Sequence, residues 1–154
     1  MEAILLEAEK HVSTLLNDEL KHHYMYHNLS HTQRVVAAAK EIIEGEKIVE
    51  DEANKIILAA WFHDAGYTNS NDNHEEESVT ILKSFLKDKK VPEDFTKAVS
   101  DLILATKMGV EPQNLSEKII RDADCAHFKD KDYSEVSELL RNEWEFVKFH
   151  KVVV

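Results

Sequence analysis

His63 and Asp64 stand side by side at the end of residues 56–62, the longest apolar run in the chain. A charged carboxylate beside such a segment is costly unless something pairs with it. A divalent metal ion answers that cost, because neutral imidazole and ionised carboxylate are both good ligands for such ions. Adjacent side chains on a regular helix diverge by roughly 100°. At a helix end, however, the longer His and the shorter Asp can bracket one ion from neighbouring directions. For the dipeptide alone, ordinary hydrogen bonds at a helix end remain the simpler reading. Two further residues change the balance: His31, in the first turn of a helix, and Asp124, near the end of another. The order along the chain is His31, then His63-Asp64, then Asp124.

The elements that must position these residues are helical. Residues 3–20 carry Ile4, Leu5, Ala8, Val12, Leu15 and Leu16 as an apolar stripe. Residues 22–29 break the pattern and read as a polar loop. Ser30 is the expected cap of a second helix, with Gly45 as its stop. Asp51 is the expected cap of a third, apolar nearly all round and therefore central and buried, with Gly66 ending it. Residues 68–73 read as a polar loop. A fourth helix covers about 74–87, and Pro92 opens a fifth that ends about Gly109. Ser116 caps a sixth reaching Ala126, and Asp132 with Glu135 makes a capping-box-like start to the last. All three glycines and both prolines are placed outside helix interiors. The expected fold is all-α, a single-domain bundle of about seven helices over residues 1–154. Residues 149–154 follow the last helix with no capping residue, so the end reads as truncated and as an apolar surface for self-association into a homo-oligomer.

Four stretches occur in order: YHNLSH, LAAWFHDAGY, NHEEES and RDADCAHF. With helical text between them, the chain resembles the HD-domain superfamily of metal-dependent phosphohydrolases, from about Tyr26 to Trp144. It looks closest to small, stand-alone members without a well-defined activity. The resemblance maps the metal ligands onto His31, His63, Asp64 and Asp124, and gives Asp64 the second task of orienting a water. It points to Asp124, which follows Ala123, rather than to Asp122, which is two positions away and faces elsewhere. Two His and two carboxylates leave open positions on a six-coordinate ion. A bound ion acidifies water and polarises a phosphoryl oxygen, so no side-chain nucleophile is required. One divalent ion is expected: Mn, Fe, Co, Ni or Zn are not distinguished by this donor set, and Mg is compatible. The substrate implied is a small phosphorylated molecule, nucleotide-like by resemblance alone.

Other residues have two readings each. His74 opens a helix and can hydrogen-bond a substrate phosphate or support a second metal; a capping or surface role is the alternative. Glu75, Glu76 and Glu77 suit the start of a helix dipole, with one of them a candidate proton shuttle. Lys107 can neutralise a phosphate or simply match a helix C-terminus. Arg34, one turn beyond His31, is within reach of a phosphate. His27 is expected to fix the loop before the second helix. Trp61, Phe62, Phe85, Phe95, Trp144 and Phe146 sit at helical spacing and read as core.

Composition excludes other classes. The formal net charge is -11, which repels duplex nucleic acid at long range. A small phosphorylated substrate stays compatible if a metal supplies local positive charge. The apolar run 56–62 has seven residues, against the ~20 that a membrane helix needs. Cys125 is the only cysteine, so no internal disulfide or CxxC zinc site forms, which suits a reducing, cytoplasmic setting. The first ten residues have acids where a signal peptide has bases. No phosphate-binding glycine loop, GxSxG or HExxH occurs. Two rival readings are a non-catalytic nucleotide- or metal-binding regulatory module, and a di-iron oxygenase of HD type drawing on His27 and His74.

Overall fold

The computed structural model describes residues 1–126 and 133–153. Seven α-helices account for most of them, and no strand occurs among the described residues. The helices are α1 (Glu2–Glu19), α2 (Leu29–Glu46), α3 (Glu50–Phe62), α4 (His74–Leu86), α5 (Glu93–Leu104), α6 (Leu115–Asp124) and α7 (Tyr133–Val153). A short 3₁₀ turn, Ala65–Thr68, joins α3 to the loop before α4. No described helix is long and apolar enough to cross a membrane.

The central position of α3 follows from its composition. Ile56, Leu58, Ala59, Ala60, Trp61 and Phe62 are all buried, on several sides of the helix at once. It packs against α1, α2, α4, α5 and α6. The others are amphipathic and turn one stripe inward: Ala8, Val12 and Leu16 from α1, Val35, Val36 and Ala39 from α2, Val99, Leu102 and Ile103 from α5. Burying a side chain of this size is worth about 1.5–3 kcal/mol, so the inward stripes and the all-round α3 set the arrangement of the bundle.

Several boundaries differ from the sequence expectation. Asn28, not Ser30, caps α2; its side-chain oxygen accepts the His31 N–H at 3.3 Å. Gly45 does not stop that helix, which runs one residue further and closes on Lys47 in the left-handed region at φ 54°. Asp51 lies inside α3, which starts at Glu50 without a side-chain cap, and α3 ends at Phe62 ahead of Gly66. The fifth helix stops at Leu104 rather than near Gly109. Asn114, not Ser116, caps α6, accepting the Glu117 N–H at 2.9 Å, and α6 ends at Asp124. The expected cap at Asp132 lies outside the described residues, as do the side chains of residues 149–154. Residues 22–28 are not a solvated loop, because Tyr24 and Tyr26 are buried. Trp144 and Phe146, expected in the core, are 55% and 37% exposed.

Candidate metal centre

The end of α3 sets up the centre. His63 is the C-terminal cap of α3 and keeps helical angles, whereas Asp64 has left the helix at φ -110°, ψ 3°. The change of direction between neighbours lets both side chains turn to one point. Ser78 of α4 fastens this corner: its hydroxyl donates to the His63 carbonyl at 2.9 Å and accepts the Gly66 N–H at 2.8 Å. Gly66 is required for that approach, since a Cβ there would lie 1.9 Å from the His74 carbonyl oxygen. His31 arrives from the first turn of α2, held by the Asn28 cap. Asp124 arrives from the last turn of α6. Asp122, two residues earlier, is exposed.

The structure brings His31, His63, Asp64 and Asp124 together, with one ligand atom from each within 4.8 Å of all the others. His31 Nε2 lies 3.0 Å from Asp124 Oδ1 and 3.2 Å from Asp64 Oδ2. His63 Nε2 lies 3.2 Å from Asp64 Oδ2 and 3.3 Å from Asp124 Oδ1. On its other side, His63 Nδ1 faces the Ala60 carbonyl at 2.7 Å. A carbonyl only accepts, so Nδ1 carries the proton, and the neutral ring presents a lone pair at Nε2. Asp64 Oδ2 is buried without a hydrogen bond. The His63 lone pair, the His31 Nε2 and two carboxylate oxygens thus converge on one point, an arrangement that suits a cation. The residues fit a divalent metal.

The charge balance agrees. Burial alone would raise the Asp64 pKa, but the His63 charge and the His31 and His74 imidazoles beside it hold it well below the usual carboxylate range. Asp124 is lowered in the same way, burial being outweighed by His63 and His31. Burial would lower the His31 and His63 pKa values, yet the two carboxylates push both up. Two buried carboxylates demand positive charge here, from imidazole protons or from an ion. Asp124 has a side chain 28% exposed, so it marks the solvent-facing side of the centre.

The remaining candidates surround this cluster. His74 Nε2 is 3.4 Å from Asp64 Oδ1 and 3.0 Å from Glu75 Oε2. Glu75 is buried rather than part of a solvated acidic turn. Glu76 is exposed and pairs with Lys107 across α4 and the end of α5. Lys107 therefore sits in an ion pair at the rim. Tyr67 packs on both His74 (ring centroids 3.9 Å, 12°) and His27 (4.6 Å, 29°). Burial, then the nearby carboxylates, raise its pKa, so it stays a neutral phenol. His27 does fix its loop, through a partner the sequence did not suggest. Glu143 of α7 is fully buried and pairs with His27 Nδ1. It also accepts the backbone N–H groups of Tyr26 and His27 at 3.2 and 2.9 Å. Sequence reasoning assigned no role to Glu143, Ser78 or Tyr67. The last two lie inside stretches already noted, whereas Glu143 has no local signal.

A family model for the HD domain matches residues 28–129. The chain belongs to the HD domain family. The match spans all four residues of the cluster. HD domains are generally metal-dependent hydrolases, typically with a divalent metal. No curated protein and no solved structure matches the chain.

Proposed function

We propose that this HD domain hydrolyses a phosphomonoester or phosphoanhydride of a small, nucleotide-like substrate, with one divalent metal held by His31, His63, Asp64 and Asp124. The observation that carries the reading is Asp64 Oδ2, buried without a hydrogen bond and facing two imidazole nitrogens at 3.2 Å. When bound, the ion supplies Lewis acidity toward a phosphoryl oxygen and lowers the pKa of a water. The chain's own groups do the rest. The Ala60 carbonyl fixes the His63 ring, and Asn28 and Ser78 fix the segments that carry His31 and Asp64. Asp64 Oδ1, turned toward His74, orients the attacking water. His74, whose Nε2 faces Asp64 and Glu75, turns to a phosphoryl oxygen when the substrate displaces one of these contacts. Lys107, at the rim, exchanges Glu76 for a substrate phosphate. The partly exposed side at Asp124 is where the substrate enters. With a net charge of -11, a phosphate is held only where such local positive charge meets it.

The oxygenase reading draws on His27 and His74, and neither belongs to the metal-ligating cluster found among the described residues. Among the described residues, one cluster of metal-ligating type occurs. The regulatory reading is separated by experiment. The protein is stripped with EDTA, reloaded singly with Mn²⁺, Co²⁺, Ni²⁺, Zn²⁺, Fe²⁺ or Mg²⁺, and assayed for phosphate release across nucleotides and sugar phosphates. The expected result is about one ion per chain and metal-dependent release. Retained metal with no release from any compound favours the regulatory module; no metal binding removes the site assignment.

A further inference from the structure

Beside the metal centre lies a cavity of about 390 Å³ that the centre itself does not use. Its walls include Tyr24, Tyr67, His23, Phe146, Asn69 and Asn71. This volume falls in the range of small-molecule sites. The rings are arranged in pairs: Tyr24 and Tyr67 with centroids 5.0 Å apart, His23 and Phe146 stacked at 4.4 Å and 15°. Such walls offer π-faces to a planar ligand. Polar side chains of Lys21, Thr68, Asn69, Ser70 and Asn71 line it as well. The Tyr24 hydroxyl donates to Asn71 Oδ1 at 3.3 Å, which commits the amide oxygen and leaves the Asn71 NH₂ as a donor for a ring acceptor. Burial, then Glu143 and Asp72, push the Tyr24 pKa up to about 12, so that donor stays in place at neutral pH.

Tyr67 is the wall shared with the metal centre. It lines the cavity and also stacks on His74, whose Nε2 is 3.4 Å from Asp64 Oδ1. A ligand whose ring occupies the cavity therefore lies against the same Tyr67 ring that stacks on His74. We infer that this cavity binds the planar heteroaromatic ring of the substrate, with Tyr24, Phe146 and Asn71 setting preference for ring-bearing over ringless phosphates. The inference rests on the phosphohydrolase reading for its substrate, but the binding of a ring does not.

The test has two arms. Adenosine, guanosine, cytidine and uridine, which carry no phosphate, are titrated into the full chain and followed by NMR shifts. Metal-loaded protein is then assayed on nucleoside 5′-monophosphates and on ribose 5-phosphate, which lacks the ring. Asn71→Ala and Phe146→Ala, on separate elements, are run alongside after their melting curves show a folded protein. The expected result is saturable binding of at least one nucleoside, weakened about tenfold or more in each variant, the scale of one lost stacking or edge contact. KM for the nucleotides should rise by a similar factor while kcat/KM for ribose 5-phosphate stays within twofold. Absence of nucleoside binding overturns the inference, as does equal kcat/KM for nucleotides and ribose 5-phosphate, or an equal loss on both in the variants. Nucleoside binding that the variants weaken, without hydrolysis of any phosphate, upholds the ring site and overturns the phosphohydrolase reading instead.

Discussion

Two buried carboxylates, Glu143 and Asp64, are 2% and 4% exposed and both lie against imidazoles, yet the chain treats them differently. Glu143 is fully met by protein groups: two backbone N–H donors on one oxygen and the His27 ring on the other. Asp64 is not. Its Oδ2 has two imidazole nitrogens at 3.2 Å and no hydrogen bond. Buried polar groups in native proteins are nearly always paired, so an unmatched one calls for a physical cause. The matched carboxylate ties α7 to the loop before α2 and belongs to the scaffold. The unmatched one belongs to the His/Asp cluster that could hold a metal ion.

Replacing each carboxylate with its amide should break this comparison in opposite ways. Asp64→Asn has the larger effect. Wild-type protein with Mn²⁺ at a hundred times its Kd gains about 2.7 kcal/mol of stability; the variant should gain none, retain no metal and release no phosphate. Melting curves with and without Mn²⁺, with metal analysis, check this. Undiminished metal stabilisation would remove Asp64 from the centre. Glu143→Gln comes next. It keeps acceptors for the two N–H groups but loses the charge opposite His27, at a cost of about 1–3 kcal/mol. That loss should appear equally in EDTA and in Mn²⁺, with one ion per chain still bound at saturating metal. A loss confined to the metal-loaded protein would mean that Glu143 acts on the ion and not on the scaffold.

The contrast between these two residues also marks what the sequence discloses. The candidate cluster is legible because the stretches around His31, His63-Asp64 and Asp124 resemble the HD-domain pattern; the conflict of burial and charge at His63-Asp64 alone leaves ordinary hydrogen bonds as the simpler reading. The helices are legible because their stripes repeat at helical spacing. Glu143 is hidden because its partners lie more than a hundred residues away, and a single acid in an α7 of mixed charge carries no period. Glu75 shared a run with two other acids, and only the packing shows that it is the buried one. Boundaries failed where two residues competed for one role. Asn28 and Ser30 can both cap α2, as Asn114 and Ser116 can both cap α6, and the choice is made by where the preceding chain is held. Trp144 and Phe146 read as core from their apolar rings, but both are exposed, on different sides of α7.

pH offers a smaller effect with a definite sign. In metal-free protein the His31 and His63 pKa values are raised above 6.5, burial being outweighed by Asp64 and Asp124. Their contribution to stability is fully present below 6.5 and lost as pH rises through the raised values. Asp64 and Asp124 are lowered below 3.8, so theirs is present above 3.8 and lost as pH falls through the lowered values. Stripped protein should therefore lose stability as pH rises above 6.5. Metal binding displaces the imidazole protons, so its contribution grows in the same direction. Urea midpoints on either side of neutral, in EDTA and in excess Mn²⁺, should show opposite trends. Parallel trends would mean that protons and metal do not compete for these imidazoles.

The smallest expected effect belongs to a third carboxylate, Asp122. On α6 it stands two residues from Asp124, a rotation of roughly 200°, and it is exposed while Asp124 Oδ1 lies 3.0 Å from His31 and 3.3 Å from His63. An exposed carboxylate is solvated by water, so Asp122→Asn removes neither a matched nor an unmatched buried charge. Stability should change by no more than about 0.5 kcal/mol, with metal content and turnover unaltered. Asp124→Asn, which keeps the shape and replaces an anionic ligand with a poor neutral one, should lose both metal and turnover. Metal content and phosphate release measured side by side decide between the two registers. Loss of the ion in Asp122→Asn with retention in Asp124→Asn would place the fourth ligand two residues out of register; retention in both would mean that α6 supplies no ligand and that the centre is built from α2 and the end of α3 alone.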